Sequence, residues 1–151
     1  MAKYRILLAD SSTQFQNLVR DSLSIQEQIE RVDVVNDGQA ALEALANTHY
    51  DVLLCDLIMP RMDGFELLER LGSGLIEDPP AVIVVSAMRH EDMVRQACTL
   101  GARYFMAKPV EPDTLYKRIL DMLENTYTQR SQTCTMAPGP RPWMKRSRPF
   151  S

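Results

Sequence analysis

The stretch Val52–Leu71, VLLCDLIMPRMDGFELLERL, changes character twice. Val52–Cys55 is a short apolar run without alternation, the pattern of a strand covered on both faces. It stops at Asp56. Leu57–Gly64 then carries a Pro and an Asp-Gly pair, the marks of a turn. Phe65, Leu67, Leu68 and Leu71 return at helical spacing, and Asp63 stands just before them as an N-cap candidate. The stretch therefore reads as strand, loop and helix, with one carboxylate at the carboxyl end of the strand.

The same unit recurs on both sides. Arg5–Ala9, Arg31–Val35, Ala81–Val85 and Tyr104–Ala107 read as further strands. Phe15, Leu18, Val19, Ser22 and Leu23 share one helical face. Ala40, Ala41, Leu42, Ala44, Leu45 and Ala46 form an Ala-rich helix. Met93, Val94, Ala97 and Leu100 give another, and Leu115, Ile119, Leu120, Met122 and Leu123 the last. Asp37 and Glu111 stand near helix starts, Gly72 and Gly101 near ends. Strict alternation of strand and helix predicts an α/β fold. Its sheet is parallel and doubly wound, with right-handed crossovers.

Length and composition suit one soluble domain: 151 residues, 45% apolar and 25% charged. No apolar run approaches the ~20 residues of a membrane span, and MAKYRILLAD lacks the form of a signal peptide. Both predict a cytoplasmic protein with no membrane partner. Cys55, Cys98 and Cys134 suggest neither a disulfide framework nor a zinc site. Cys55 and Cys98 are expected to be small hydrophobes in a reducing compartment.

Charge divides the chain. Residues 128–151, TQRSQTCTMAPGPRPWMKRSRPFS, hold five basic residues and no acid, so this tail is +5. Residues 1–127 then carry 12 basic and 20 acidic residues, a net −8. An acidic body argues against nucleic-acid binding by the domain itself, although the tail could give weak, salt-sensitive contact. With four of the nine prolines and no period, 128–151 is expected to be a disordered or loosely docked tail. The domain is expected to occupy 1–127.

Polar residues gather at strand ends: Asp10 after the first, Asp56 after the third, Ser86 after the fourth and Lys108 after the fifth. Open α/β sheets bind ligands outside these carboxyl ends. Singly, each residue could be a cap; together they predict a site. The chemistry suits phosphate. Paired carboxylates attract a hard cation such as Mg²⁺. A Lys supplies a point charge, a Ser hydroxyl can donate to a phosphoryl oxygen, and a carboxylate can act as nucleophile to become an acyl phosphate.

DVLLCDLIMPRMDGFELLERL, VIVVSA and GARYFMAKP, in this order and spacing, resemble the receiver domains of two-component response regulators over about residues 3–127. NDGQAALEAL, DLIMPRMDG and GARYFMAKP look most like the receiver of the sporulation master regulator and its relatives. The resemblance implies a flavodoxin-like (βα)5 fold with strand order 2-1-3-4-5. It implies Asp56 as phosphoacceptor and Asp10, Asp56 and the Ile58 carbonyl as Mg²⁺ ligands. Ser86 matches the hydroxyl residue that moves toward the phosphoryl group. Lys108 matches the contacting lysine, and the Lys108–Pro109 bond is expected cis. Phe105 matches the aromatic switch, although it reads equally as a core aromatic. The implied partners are a histidine kinase or phosphotransfer protein and a downstream protein or effector domain. They would be served by a helix 4–strand 5–helix 5 surface, which could also carry a homodimer. The protein is then a phosphorelay signalling protein and not an enzyme.

One departure stands at the first strand. Where the family has two adjacent acids, this chain has Asp10 and Ser11. Ungapped pairing sets Ser11 at the second position; a one-residue slip sets Ala9 at the first. Either way one carboxylate is missing, which weakens the hold on Mg²⁺. The alternative reading is a pseudo-receiver that binds partners without phosphorylation. A haloacid-dehalogenase-type phosphatase would need an acid two residues after Asp56, where Ile58 stands. A DNA-binding domain after the receiver would need on the order of 100 further residues with helix-turn-helix periodicity. DNA binding by this chain alone is therefore not expected. The chain reads as a stand-alone receiver or as the front of something longer.

Overall fold

The computed structural model describes residues 3–88, 90–124 and 135–136. Strands β1 (Tyr4–Ala9), β2 (Ile29–Val35), β3 (Val52–Cys55), β4 (Ala81–Ser86) and β5 (Tyr104–Ala107) alternate with helices. The helices are α1 (Thr13–Ser24), α2 (Gly38–Asn47), α3 (Gly64–Gly72), α4 (Glu91–Thr99) and α5 (Pro112–Glu124). Every strand pair is parallel. The five strands lie in the order 2-1-3-4-5, the flavodoxin-like arrangement expected. Val52–Cys55 pairs on both sides, with Ile6–Ala9 and with Ala81–Val84, so it is central.

Continuous apolar strands build two cores. Leu7, Ala9, Leu53, Cys55, Val82, Val84 and Phe105 pack on one face of the sheet, against α2, α3 and α4. Ile6, Leu8, Val52, Leu54, Ile83, Val85 and Met106 pack on the other, against α1 and α5. Successive residues point to opposite faces, so a strand buried on both sides has no polar position to spare.

Ser12, Asp37 and Asp63 cap α1, α2 and α3, each accepting a backbone N–H three residues on. Leu18, placed on the apolar face of α1 by its spacing, is instead 44% exposed. Among the described residues no helix is long and apolar enough to cross a membrane.

One expectation changes, that for Cys98. Of the tail at 128–151, most lies outside the described residues. Thr135–Met136, however, forms a sixth strand, β6, parallel to β5 at the sheet edge. Cys55 is free and buried as expected, but Cys98 is disulfide-bonded. One bridge needs only two positions that the fold brings together, and sequence spacing does not reveal that.

Candidate functional site

The four polar residues meet at the carboxyl edge of the sheet. Asp10 follows β1, and its N–H donates to the Val35 carbonyl at 3.1 Å. Asp56 follows β3, and its N–H donates to the Ala9 carbonyl at 3.0 Å. The ladder thus continues one residue beyond both strands and fixes the two carboxylates at the ends of the neighbouring strands β1 and β3. Lys108, just past β5, bridges them. Its Nζ lies 2.8 Å from Asp10 Oδ2 and 3.2 Å from Asp56 Oδ2.

Each carboxylate is anchored at its other oxygen. Asp10 Oδ1 accepts the Ser12 N–H at 2.8 Å. Asp56 Oδ1 accepts the Leu57 N–H at 2.6 Å and the Ile58 N–H at 3.4 Å. Asp10 is only 1% exposed. A buried carboxylate requires hydrogen bonds and a partner charge, and both are present. Burial alone would lower the pKa of Lys108. The Asp10 hydrogen bond and the charges of Asp56 and Asp10 outweigh it, and the net shift is upward. The ammonium therefore stays charged throughout the physiological range.

Ser86 ends β4 and is fully buried. Its Oγ accepts the Met88 N–H at 3.1 Å, and its carbonyl accepts the Lys108 N–H at 2.9 Å. That second bond ties the hydroxyl position to the lysine. The Lys108–Pro109 bond is cis. Phe105 is buried in the core formed with α2, α3 and α4. Ile58 lies in the loop after Asp56, 56% exposed. Ser11 is exposed, and no hydrogen bond or ion pair joins it to Asp10, Asp56 or Lys108.

Two residues escape the sequence reading. Phe15, a core position by its period, places its ring centroid 4.4 Å from Lys108 Nζ. This cation–π contact steers the ammonium toward the carboxylates. Gln16 is buried, and its amide donates to the Asp10 carbonyl and to Asn36 Oδ1. A polar residue beside an apolar period signals neither role.

Burial pushes the Cys55 thiol pKa strongly up, helped by the negative charges of Asp56, Asp10 and Asp63. It is inert packing behind the site, not a nucleophile.

Among the described residues no group of three or more His, Cys, Asp or Glu side chains could hold a metal. The acidic donors at the site are therefore two carboxylates. That suits Mg²⁺, which takes one or two carboxylates and completes its shell with waters and phosphate oxygens.

The family described as response regulator receiver domain matches residues 6–120. The signal receiver domain of the putative response regulator NarL from Mycobacterium tuberculosis is 28% identical, with a TM-score of 0.72. The match covers 87% of this chain and 100% of that one. The receiver domain of the Francisella response regulator 1452 is 26% identical, with a TM-score of 0.74, over 82% of this chain and 99% of that one. A CheY-like receiver domain protein from Methanospirillum hungatei shares the fold at 23% identity. Its TM-score is 0.75, over 85% of this chain and 99% of its own. With the family matching from β1 to within α5, the chain belongs to the response regulator receiver domains of two-component systems.

Proposed function

We propose that this chain is a phosphorelay switch that accepts a phosphoryl group on Asp56. The observation that carries the reading is the bridge from Lys108 to both Asp10 and Asp56, with the Ser86 hydroxyl position tied to the same lysine. The donor is a phosphohistidine on a histidine kinase or a phosphotransfer protein. Asp56 Oδ2, the oxygen that faces Lys108, attacks phosphorus, an O–P bond forms, and the N–P bond to imidazole breaks. The imidazole leaves with the electron pair. The product is an acyl phosphate on the protein itself, so the chain acts as a signalling acceptor and not as an enzyme on a separate substrate.

Asp10, Asp56 and the Ile58 carbonyl are the residues that would hold Mg²⁺, which supplies charge neutralisation for the phosphoryl oxygens. Lys108 shares that task as a point cation. Ser86 donates to a phosphoryl oxygen once its hydroxyl turns from Met88, and Phe105 on the adjacent strand carries the change to α4, β5 and α5. Phosphorylation then acts by population shift toward that state. A groove lined by Phe15, Leu18, Pro109 and Val110 opens beside Lys108, and its apolar wall suits the docking helix of a phosphodonor protein. Such a relay operates in the cytoplasm, and the α4–β5–α5 face serves a downstream protein, an effector domain or a second copy.

A pseudo-receiver is the second reading. It is favoured by the neutral Ser11 and by the way Lys108 already satisfies both carboxylates. A Mg²⁺ titration with a small phosphodonor, followed by intact mass, separates the two. Gain of one phosphoryl group, lost in Asp56→Asn, supports the switch. No gain at any Mg²⁺ concentration, with gain restored by Ser11→Asp, supports the pseudo-receiver.

A further inference from the structure

Phe15 and Lys108 come from distant parts of the chain and meet beside the two carboxylates. Ser12 sets the first of them. Its N–H donates to Asp10 Oδ1 at 2.8 Å, and its Oγ accepts the Phe15 N–H at 3.2 Å. One cap residue thus ties the buried carboxylate to the helical turn that carries the ring. Phe15 is 9% exposed, and its ring centroid lies 4.4 Å from Lys108 Nζ. The ammonium therefore has three attractors, two carboxylates and one aromatic face. They are not equivalent. A carboxylate is anionic and repels an incoming phosphoryl group. The face of a benzyl ring attracts a cation through its quadrupole and carries no net charge.

We propose that Phe15 is the positioning residue that keeps the Lys108 ammonium in the site while Asp56 gains its phosphoryl group. The role in transfer rests on the switch reading above. Before transfer, Lys108 Nζ faces Asp10 Oδ2 at 2.8 Å and Asp56 Oδ2 at 3.2 Å. Transfer uses up the second contact. Asp56 Oδ2 becomes the bridging oxygen of the acyl phosphate and gives up most of its negative charge as its bond to phosphorus forms. The ammonium must then turn to the phosphoryl oxygens. Asp10 and the ring are its remaining contacts among the described residues. Lys108 lines the open groove with Phe15, Leu18, Pro109 and Val110, so an ammonium that loses the ring has space to swing out. The ring holds it without adding negative charge where the phosphoryl group arrives.

The experiment compares wild type, Phe15→Leu, Phe15→Tyr and a full chain carrying pentafluorophenylalanine at position 15. Leucine keeps apolar bulk and lacks the π face. The fluorinated ring keeps nearly the shape of Phe and reverses its quadrupole. Two readouts are taken on the same samples. The first is the rate of phosphoryl gain, by intact mass, with Mg²⁺ and phosphoramidate, whose P–N bond breaks with ammonia as leaving group. Phe15→Leu and the fluorinated chain should be slower by about threefold to tenfold, with Phe15→Tyr close to wild type. The second is the NMR shift of the Lys108 Hε protons, which the ring current moves upfield while the ammonium lies over the ring. That shift should persist in Phe15→Tyr and vanish in Phe15→Leu. If Phe15→Leu fails to fold, the fluorinated chain decides, because its ring fills the same space. A fluorinated chain as fast as wild type would mean that the ring only packs, and would overturn the proposal while leaving the switch intact. So would a wild-type Lys108 without the upfield shift. No phosphoryl gain in any of the four chains sinks the switch reading and the role in transfer together, and the upfield shift then reports the hold on the ammonium by itself.

Discussion

Lys108 is the residue on which the site's electrostatics turn. It holds two carboxylates, one of them almost wholly buried, so its removal leaves like charges facing each other without a cation. Lys108→Met is expected to destabilise the protein at pH 7 by about 1–3 kcal/mol, less than for a fully buried pair because Lys108 keeps 18% exposure. The pH dependence has a definite sign. The folded-state pKa of Lys108 is raised, so its contribution is complete below the unfolded value, ~10.4. It is lost as pH climbs through the folded value. Wild type minus Lys108→Met stability, from denaturant melts, should be flat at neutral pH and shrink in the alkaline range. A difference that grew with pH would reverse the assignment. Ser11→Asp is a second test. An exposed carboxylate next to Asp10 is expected to tighten Mg²⁺ by about 1 kcal/mol, several-fold in affinity. Unchanged affinity by titration would put position 11 outside the metal shell. Asp10, Asp56, Ser86 and Lys108 were legible because a polar residue ending an apolar run has few packing explanations. Phe15 and Gln16 were not, since their partners lie on other segments and nothing in their local pattern differs from a helix interior or surface.

The loop between β3 and α3 shows how a helix start can set a functional side chain. Asp63 caps α3 through the Glu66 N–H at 2.9 Å, and the Gly64 N–H returns to the Leu57 carbonyl at 2.9 Å. A Cβ on Gly64 would stand 2.3 Å from the Asp56 carbonyl oxygen and 2.8 Å from Leu57 Cα. Both neighbours are backbone and cannot swing away. Gly64→Ala is therefore expected to cost about 3 kcal/mol or more by forced displacement and to move Asp56, so phosphoryl acceptance falls along with stability. Asp63→Ala removes only a cap, worth ~1 kcal/mol, and should leave acceptance near wild type. Thermal melts and intact mass on both variants check the contrast; equal losses would mean the close approach does not matter. The Asp-Gly pair was readable as a turn, but the sequence carries no sign that this glycine is pressed against the backbone of Asp56. The strands β3 and β5 were legible to the residue because apolar runs with sharp polar ends define them. At β2 the structure adds Ile29 and Glu30, since pairing to Tyr4 extends a strand whose start has no apolar pattern.

Two cores share one sheet, and the site lies where the strands of that sheet end, so binding there is linked to the stability of the whole molecule. Each of the carboxylates is fixed by a ladder bond to the next strand, and Lys108 joins β5 to β1 and β3. A cation that binds only the folded state must raise the unfolding free energy by RT ln(1 + [L]/Kd), about 1.4 kcal/mol at tenfold excess over Kd. For a domain of this size that is a rise of roughly 3–6 °C in Tm. Mg²⁺ is therefore expected to raise Tm in a saturable way, and Asp10→Asn should abolish most of the rise. The control is ionic strength. The body carries −8, and any salt screens that repulsion, so NaCl at matched ionic strength should give a smaller, non-saturating rise unaffected by Asp10→Asn. If Mg²⁺ and NaCl act alike, the two carboxylates do not form a cation site, and Lys108 alone holds the charge balance. That outcome would favour the pseudo-receiver, because a phosphoryl group brought to Asp56 would then meet one ammonium and no metal.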